Sequence, residues 1–115
     1  MLTANQRLAL ERVIVKHLIE TMAAHGWHVD HVWDGGEEVH SSEIGGLLDA
    51  AFAVDESQII FENRAGRQHW VSIILGNGID CISDYSIAAH RADDFQAVMV
   101  DFVNPYVKQL EGVAA

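Results

Sequence analysis

The 115 residues carry 17 acidic side chains against 7 basic ones, a formal charge of −10, and half the chain is apolar. That length fits a single α+β domain over residues 1–115 with one core, and the apolar half argues against a disordered tail. No apolar run nears the roughly 18–20 residues of a membrane span, and Arg7, Glu11, Arg12 and Lys16 break up the first segment, so no signal peptide and a cytoplasmic location are expected.

The first element predicted is a helix over 4–25. Thr3 and Gln6 have capping-box spacing, and Leu8, Val15, Leu18, Ile19 and Met22 recur at helical period. Arg12, Lys16 and Glu20 form its wet stripe, Leu10 and Val13 hint at a second covered surface, and Gly26 is placed to stop it. A strand over 27–34 follows, with Trp27, Val29, His31 and Trp33 on an inner face and His28, Asp30, Val32 and Asp34 opposite. Gly35-Gly36 ends it, and residues 37–40 are expected to be loop.

Ser41 or Ser42 is read as the cap of a second helix, whose Ile44, Leu47, Leu48, Ala51 and Phe52 fit the i, i+3, i+4, i+7, i+8 template. Gly45 and Gly46 inside it point to a close backbone approach or a later start. Three strands come next, over 58–63, 68–75 and 79–85, with Gly76-Asn77-Gly78 as a three-residue hairpin loop. The last helix starts at Ala92 or Asp93, with an apolar stripe of Phe95, Val98, Met99, Phe102, Tyr106 and Leu110. Pro105 predicts a kink or restart at Asn104, and 112–115 a frayed end. The order is α-β-α-β-β-β-α: a four-stranded, mostly antiparallel sheet with a β-meander and helices mainly on one face.

The charge is concentrated. Between His17 and Asn63 there are ten acids and no Lys or Arg, so the whole excess lies there. Such a surface repels phosphate, which excludes direct nucleic-acid binding and anionic membranes; it suits solubility, a cation or a basic protein partner. The single Cys81 excludes an internal disulfide and fits a reducing compartment.

Seven histidines raise a metal site. His28, Asp30 and Asp34 share a predicted strand face, and His25, His31 and His40 are close in sequence, but strand neighbours two apart are roughly 6.5–7 Å from each other. No paired ligand motif is present, so no metal ligand is assigned and these groups are read as solvated. The acidic turn Asp34 to Glu38 lacks EF-hand spacing, and Cys81 reads as a packed, inert thiol. There is no G-x-S-x-G elbow, and Gly76-Asn77-Gly78 opens no helix to hold a phosphate. Asp80 with Asp84, and Asp93 with Asp94, read as strand-end and helix-cap carboxylates. No catalytic residue and no cofactor is therefore assigned.

The aromatic residues are the better interaction signal, since Trp and Tyr join large apolar area to a polar handle. Trp33 and Trp70, with Asp34, Glu37 and Glu38, are the predicted binding residues. The function expected is a non-enzymatic binding domain that meets a protein partner through aromatics and carboxylates. It is expected to be a homodimer, because a second sheet face bearing Trp and Ile would otherwise lie bare. The alternatives are a small metal-dependent or small-molecule enzyme using His28, His31, His69 and nearby acids, and a DNA mimic.

Overall fold

The computed structural model describes residues 2–87 and 93–114, the side chains of 111–114 excepted. The expected start of the last helix at Ala92 and the end at Ala115 lie outside the described residues.

Helix α1 runs Ala4–Ala24, and the Thr3 hydroxyl and Gln6 amide make the reciprocal capping box. Gly26, at φ +87°, turns the chain into strand β1, His28–Trp33. Strand β2 is only Glu38–Val39, and helix α2 is Ile44–Ala51. Strands β3, Glu56–Glu62, and β4, Gln68–Ile74, pair along their whole length. A 3-10 turn over Gly78–Asp80 precedes β5, Ile82–Tyr85. Helix α3, Phe95–Val98, passes through a π-helical stretch, Met99–Val103, into α4, Asn104–Ala114.

The mixed helix-and-sheet architecture matches expectation, but the sheet has five strands, not four, in the order β2-β1-β3-β4-β5, all antiparallel. The extra strand is β2, in the stretch expected to be loop. Gly35, at φ +98°, and Gly36 form a two-residue turn closed by the Asp34 N–H on the Glu37 carbonyl at 3.1 Å.

Strict alternation along β1 also fails, and the reason is a bulge. Val29 pairs with Phe61 but His31 pairs with Ile60, which leaves Asp30 unpaired in the ladder against β3. Beyond the bulge the faces exchange: Val32 is fully buried and Trp33 is 39% exposed. Trp27 belongs to the core, with its indole N–H donating to Asp94 at 2.7 Å.

The core lies on the helix side. Val32, Ile59, Phe61, Val71 and Ile73 of the sheet meet Ile14, Val15, Leu18 and Met22 of α1, Leu47, Leu48 and Ala51 of α2, and Phe95, Met99 and Val103 beyond. Two expected stripe positions are not in it. Leu8 is exposed, while Glu11 is fully buried and takes its place on the inner face of α1. Val13 is half exposed, so it covers no second surface. Phe102 is also half exposed, because the π stretch adds a residue to the turn and brings Val103 inward instead.

Pro105 explains that stretch. It has no N–H for the Asp101 carbonyl, and the helix absorbs the loss by changing hydrogen-bond pattern rather than restarting. Asn104 keeps helical angles, φ −61° and ψ −43°, and so is no cap.

The β4–β5 connection is longer than a three-residue hairpin. Gly76 and Gly78 take positive φ, and the buried Glu11 carboxylate accepts their N–H groups at 2.9 Å each. Cys81 closes this turn, fully buried. Burial, with the Glu11 charge adding to it, pushes its thiol up to about 12, so the expected inert thiol fits its surroundings. Helix α2 starts after both serines, with Glu43 as its cap residue. At Gly46 a Cβ would come within 2.4 Å of the Ser41 hydroxyl, whereas Gly45 has open space. The later start of the helix is what the structure shows; no second backbone approaches either glycine, and the close neighbour of Gly46 is a side chain.

Candidate metal centre

The β1–β2 hairpin assembles a cluster that its sequence spacing hides. Val32 pairs with Val39 and Trp33 with Glu38, and the same register sets His40 opposite His31. Two residues apart on each strand, His31, Trp33, Glu38 and His40 share one face of the ribbon. It is the face turned away from the helices.

The Nε2 of His31 stands 3.7 Å from one Glu38 carboxylate oxygen, and the Nε2 of His40 stands 3.3 Å from the other. The two imidazole rings are 5.4 Å apart. One ligand atom from each of the three residues lies within 4.8 Å of the others. An ion held at about 2.0–2.1 Å draws tetrahedral ligands to roughly 3.3–3.5 Å from each other. Closing that difference needs only side-chain rotation, and Glu38 and His40, more than half exposed, are free to make it.

Asp30 completes the arrangement. Its Oδ2 lies 2.7 Å from Nδ1 of His31, and His31 is only 12% exposed. A carboxylate can only accept, so Nδ1 carries the proton and Nε2 presents its lone pair to the cluster. Such an outer carboxylate fixes ring orientation and tautomer in metal-binding histidines. Adjacent strand residues ordinarily face opposite ways; the bulge at Asp30 lets it reach its neighbour's ring.

The predicted binding residues fall around this centre unevenly. Trp33 lies within the hairpin face, directly opposite Glu38. Trp70 is half buried on the same side of the sheet, two strands away along the row His31, Ile60, Trp70. Glu37 is exposed at the turn. Asp34 is committed locally: its Oδ1 accepts the N–H groups of Glu37 at 2.7 Å and Gly36 at 2.9 Å. These two bonds hold its carboxyl below the usual carboxylate range. The expected face of His28, Asp30 and Asp34 is not a ligand set, because the bulge separates their directions. His25 is bonded to its own helix, at the Thr21 carbonyl, and His69 lies elsewhere in the core.

His31 and His40 have no ligand spacing along the chain, so no metal ligand is assigned from it; the readable signal is Gly35-Gly36 at the centre of a two-residue hairpin. Folding the chain about that pair sets residue 31 against 40 and 33 against 38. The chain matches no known protein family, and no curated protein or solved structure shows a significant similarity to it. No helix among the described residues is long and apolar enough to cross a membrane.

Proposed function

We propose that this domain binds one divalent transition-metal ion, of the Zn²⁺ class, through Nε2 of His31, a Glu38 carboxylate oxygen and Nε2 of His40. The observation that carries the proposal is the Asp30–His31 hydrogen bond, which aims an imidazole lone pair at two further ligand groups. Two imidazoles and a carboxylate suit zinc and its neighbours better than calcium or magnesium, which take oxygen ligands. Three protein ligands leave a position open to water or to a group of a bound partner. The surrounding excess of carboxylates, all within residues 17–63, raises the local cation concentration.

Titration calorimetry with Zn²⁺ at pH 7.5 tests this. One ion per chain is expected, with binding lost in His31→Ala and in His40→Ala. Acid competes with the ion, since each ligating nitrogen must be free of its proton, so affinity falls as pH is lowered. Saturable binding absent from the wild type, or equal in both variants, rejects the site.

A second reading concerns the same sheet face. Trp33, Ile60, Trp70 and Ile74 lie on the side without helices, and Trp33 is 39% exposed. A depression of about 240 Å³ runs beside them, lined by Trp33, Gln58, Ser72 and Ile74. This apolar area supports association with a second copy of the chain. Light scattering at high micromolar concentration should give twice the monomer mass, and Trp33→Asp should return it to one; a wild-type monomer there contradicts this reading.

A further inference from the structure

At the start of β4, three side chains from three segments converge on a groove. His69, on β4, has Nδ1 2.6 Å from the Ser86 hydroxyl, just past β5, and Nε2 2.5 Å from Oδ2 of Asp93, just before α3. We infer that Ser86 is a nucleophile with His69 as its general base and Asp93 as the group that orients the base, and that the groove takes carboxylic esters.

The direction of each proton carries the inference. Ser86 Oγ already accepts the Trp70 backbone N–H at 3.1 Å, and its own proton is left to donate to Nδ1 of His69. Asp93 accepts at both oxygens, from His69 and from the Phe95 N–H at 3.0 Å. His69 therefore holds its proton on Nε2 and offers Nδ1 as the base. Burial tends to raise the Asp93 carboxyl. The hydrogen bonds from His69 and the Phe95 N–H, with the Arg67 charge, outweigh it and hold the group below the usual carboxylate range.

The base is held rigidly. Its ring stacks on Phe95, with centroids 4.4 Å apart and planes 9° from parallel, and meets the edge of Trp27 at 5.2 Å. His69 and Asp93 side chains are 7% and 4% exposed, and each meets the groove only at its edge. Ser86, His69 and Asp93 all line a groove of about 410 Å³, with Arg67, Trp70 and Ile87 around them. Trp70 and Ile87 offer apolar contact to an acyl group, and Arg67 brings positive charge to a groove where an oxyanion would form.

The imidazole is reversed relative to the serine-protease triad, in which Nε2 faces the serine. The chemistry needs only a free nitrogen at the hydroxyl and a protonated one at the carboxylate. Oγ adds to the ester carbonyl carbon as its proton passes to Nδ1. The alkoxy oxygen then leaves with that proton, giving an acyl-Ser86 and an alcohol. Water, deprotonated by His69, attacks the acyl group, and Oγ recovers the proton as the carboxylic acid departs.

An alkyl fluorophosphonate tests this on the intact protein, with EDTA present so that the outcome is independent of the hairpin metal site. The reagent forms an Oγ–P bond and loses fluoride, so intact mass and peptide mapping should show one adduct on Ser86. Ser86→Ala should give none, and His69→Gln should slow labelling about 100-fold or more, as should hydrolysis of p-nitrophenyl acetate. No adduct on Ser86 in the folded wild type overturns the proposal, whatever the variants do. Labelling that is equally fast in folded His69→Gln also overturns it.

Discussion

Replacing Glu11 by alanine should destabilise the fold by about 3–5 kcal/mol, the largest effect expected of any single polar side chain described here. Glu11 is fully buried within the core-facing side of α1, and its carboxylate accepts the N–H groups of Gly76 and Gly78. Alanine would remove two hydrogen bonds to a charged group, worth about 1.5–3 kcal/mol each, and leave a cavity where the buried side chain had been. The loss compares with a total stability of about 5–15 kcal/mol for an ordinary domain. Glu11→Gln keeps the volume and, with its oxygen in the Oε2 position, an acceptor for both N–H groups, but it loses the charge and turns an amide N–H₂ toward Gly76, so it should lie between alanine and wild type. Urea unfolding followed by tryptophan fluorescence measures both. A midpoint shift worth less than about 1 kcal/mol for Glu11→Ala would show that the loop closes without this carboxylate.

Asp30→Asn should weaken Zn²⁺ binding about 10–100-fold although residue 30 does not ligate the ion. The asparagine can accept from Nδ1 through its oxygen, but it removes the negative charge that makes the His31 ring a better donor. His31→Ala, which deletes a ligand outright, should cost more. Asp34→Asn serves as the control: its oxygen bonds to the Gly36 and Glu37 N–H groups, so it should leave affinity within about twofold. An Asp30→Asn affinity equal to wild type would mean that His31 is oriented by the hairpin alone.

Where the sequence is legible, local chemistry decides the outcome. The Thr3–Gln6 capping box and Gly26 set the bounds of α1 to within a residue of expectation. The strands Glu56–Glu62 and Gln68–Ile74 follow their alternation because nothing interrupts it. The departures come from one-residue changes of register. The bulge at Asp30 exchanges the faces of β1, and the π stretch before Pro105 replaces Phe102 by Val103 in the core. Neither leaves a periodic trace, since each is a shift in period.

Long-range partners were illegible for another reason. Glu11 falls on neither the apolar nor the wet stripe read for α1, and its partners Gly76 and Gly78 lie more than sixty residues away. His69, Ser86 and Asp93 lie on three segments with no spacing that joins them. The hairpin cluster was half legible: Trp33 and Glu38 were singled out as binding residues, while His31 and His40 needed the fold about Gly35-Gly36 to meet them.

The central claim is that His31, Glu38 and His40 together hold a transition-metal ion, and zinc K-edge X-ray absorption on the protein loaded with one equivalent of Zn²⁺ tests it most directly. Two imidazole nitrogens at about 2.0–2.1 Å, with oxygen in the remaining positions and no sulfur, is the predicted coordination in the wild type, replaced by the all-oxygen shell of free hydrated zinc in His40→Ala, where binding is lost. An all-oxygen shell in the wild type, or a spectrum unchanged by His31→Ala and His40→Ala, would contradict it.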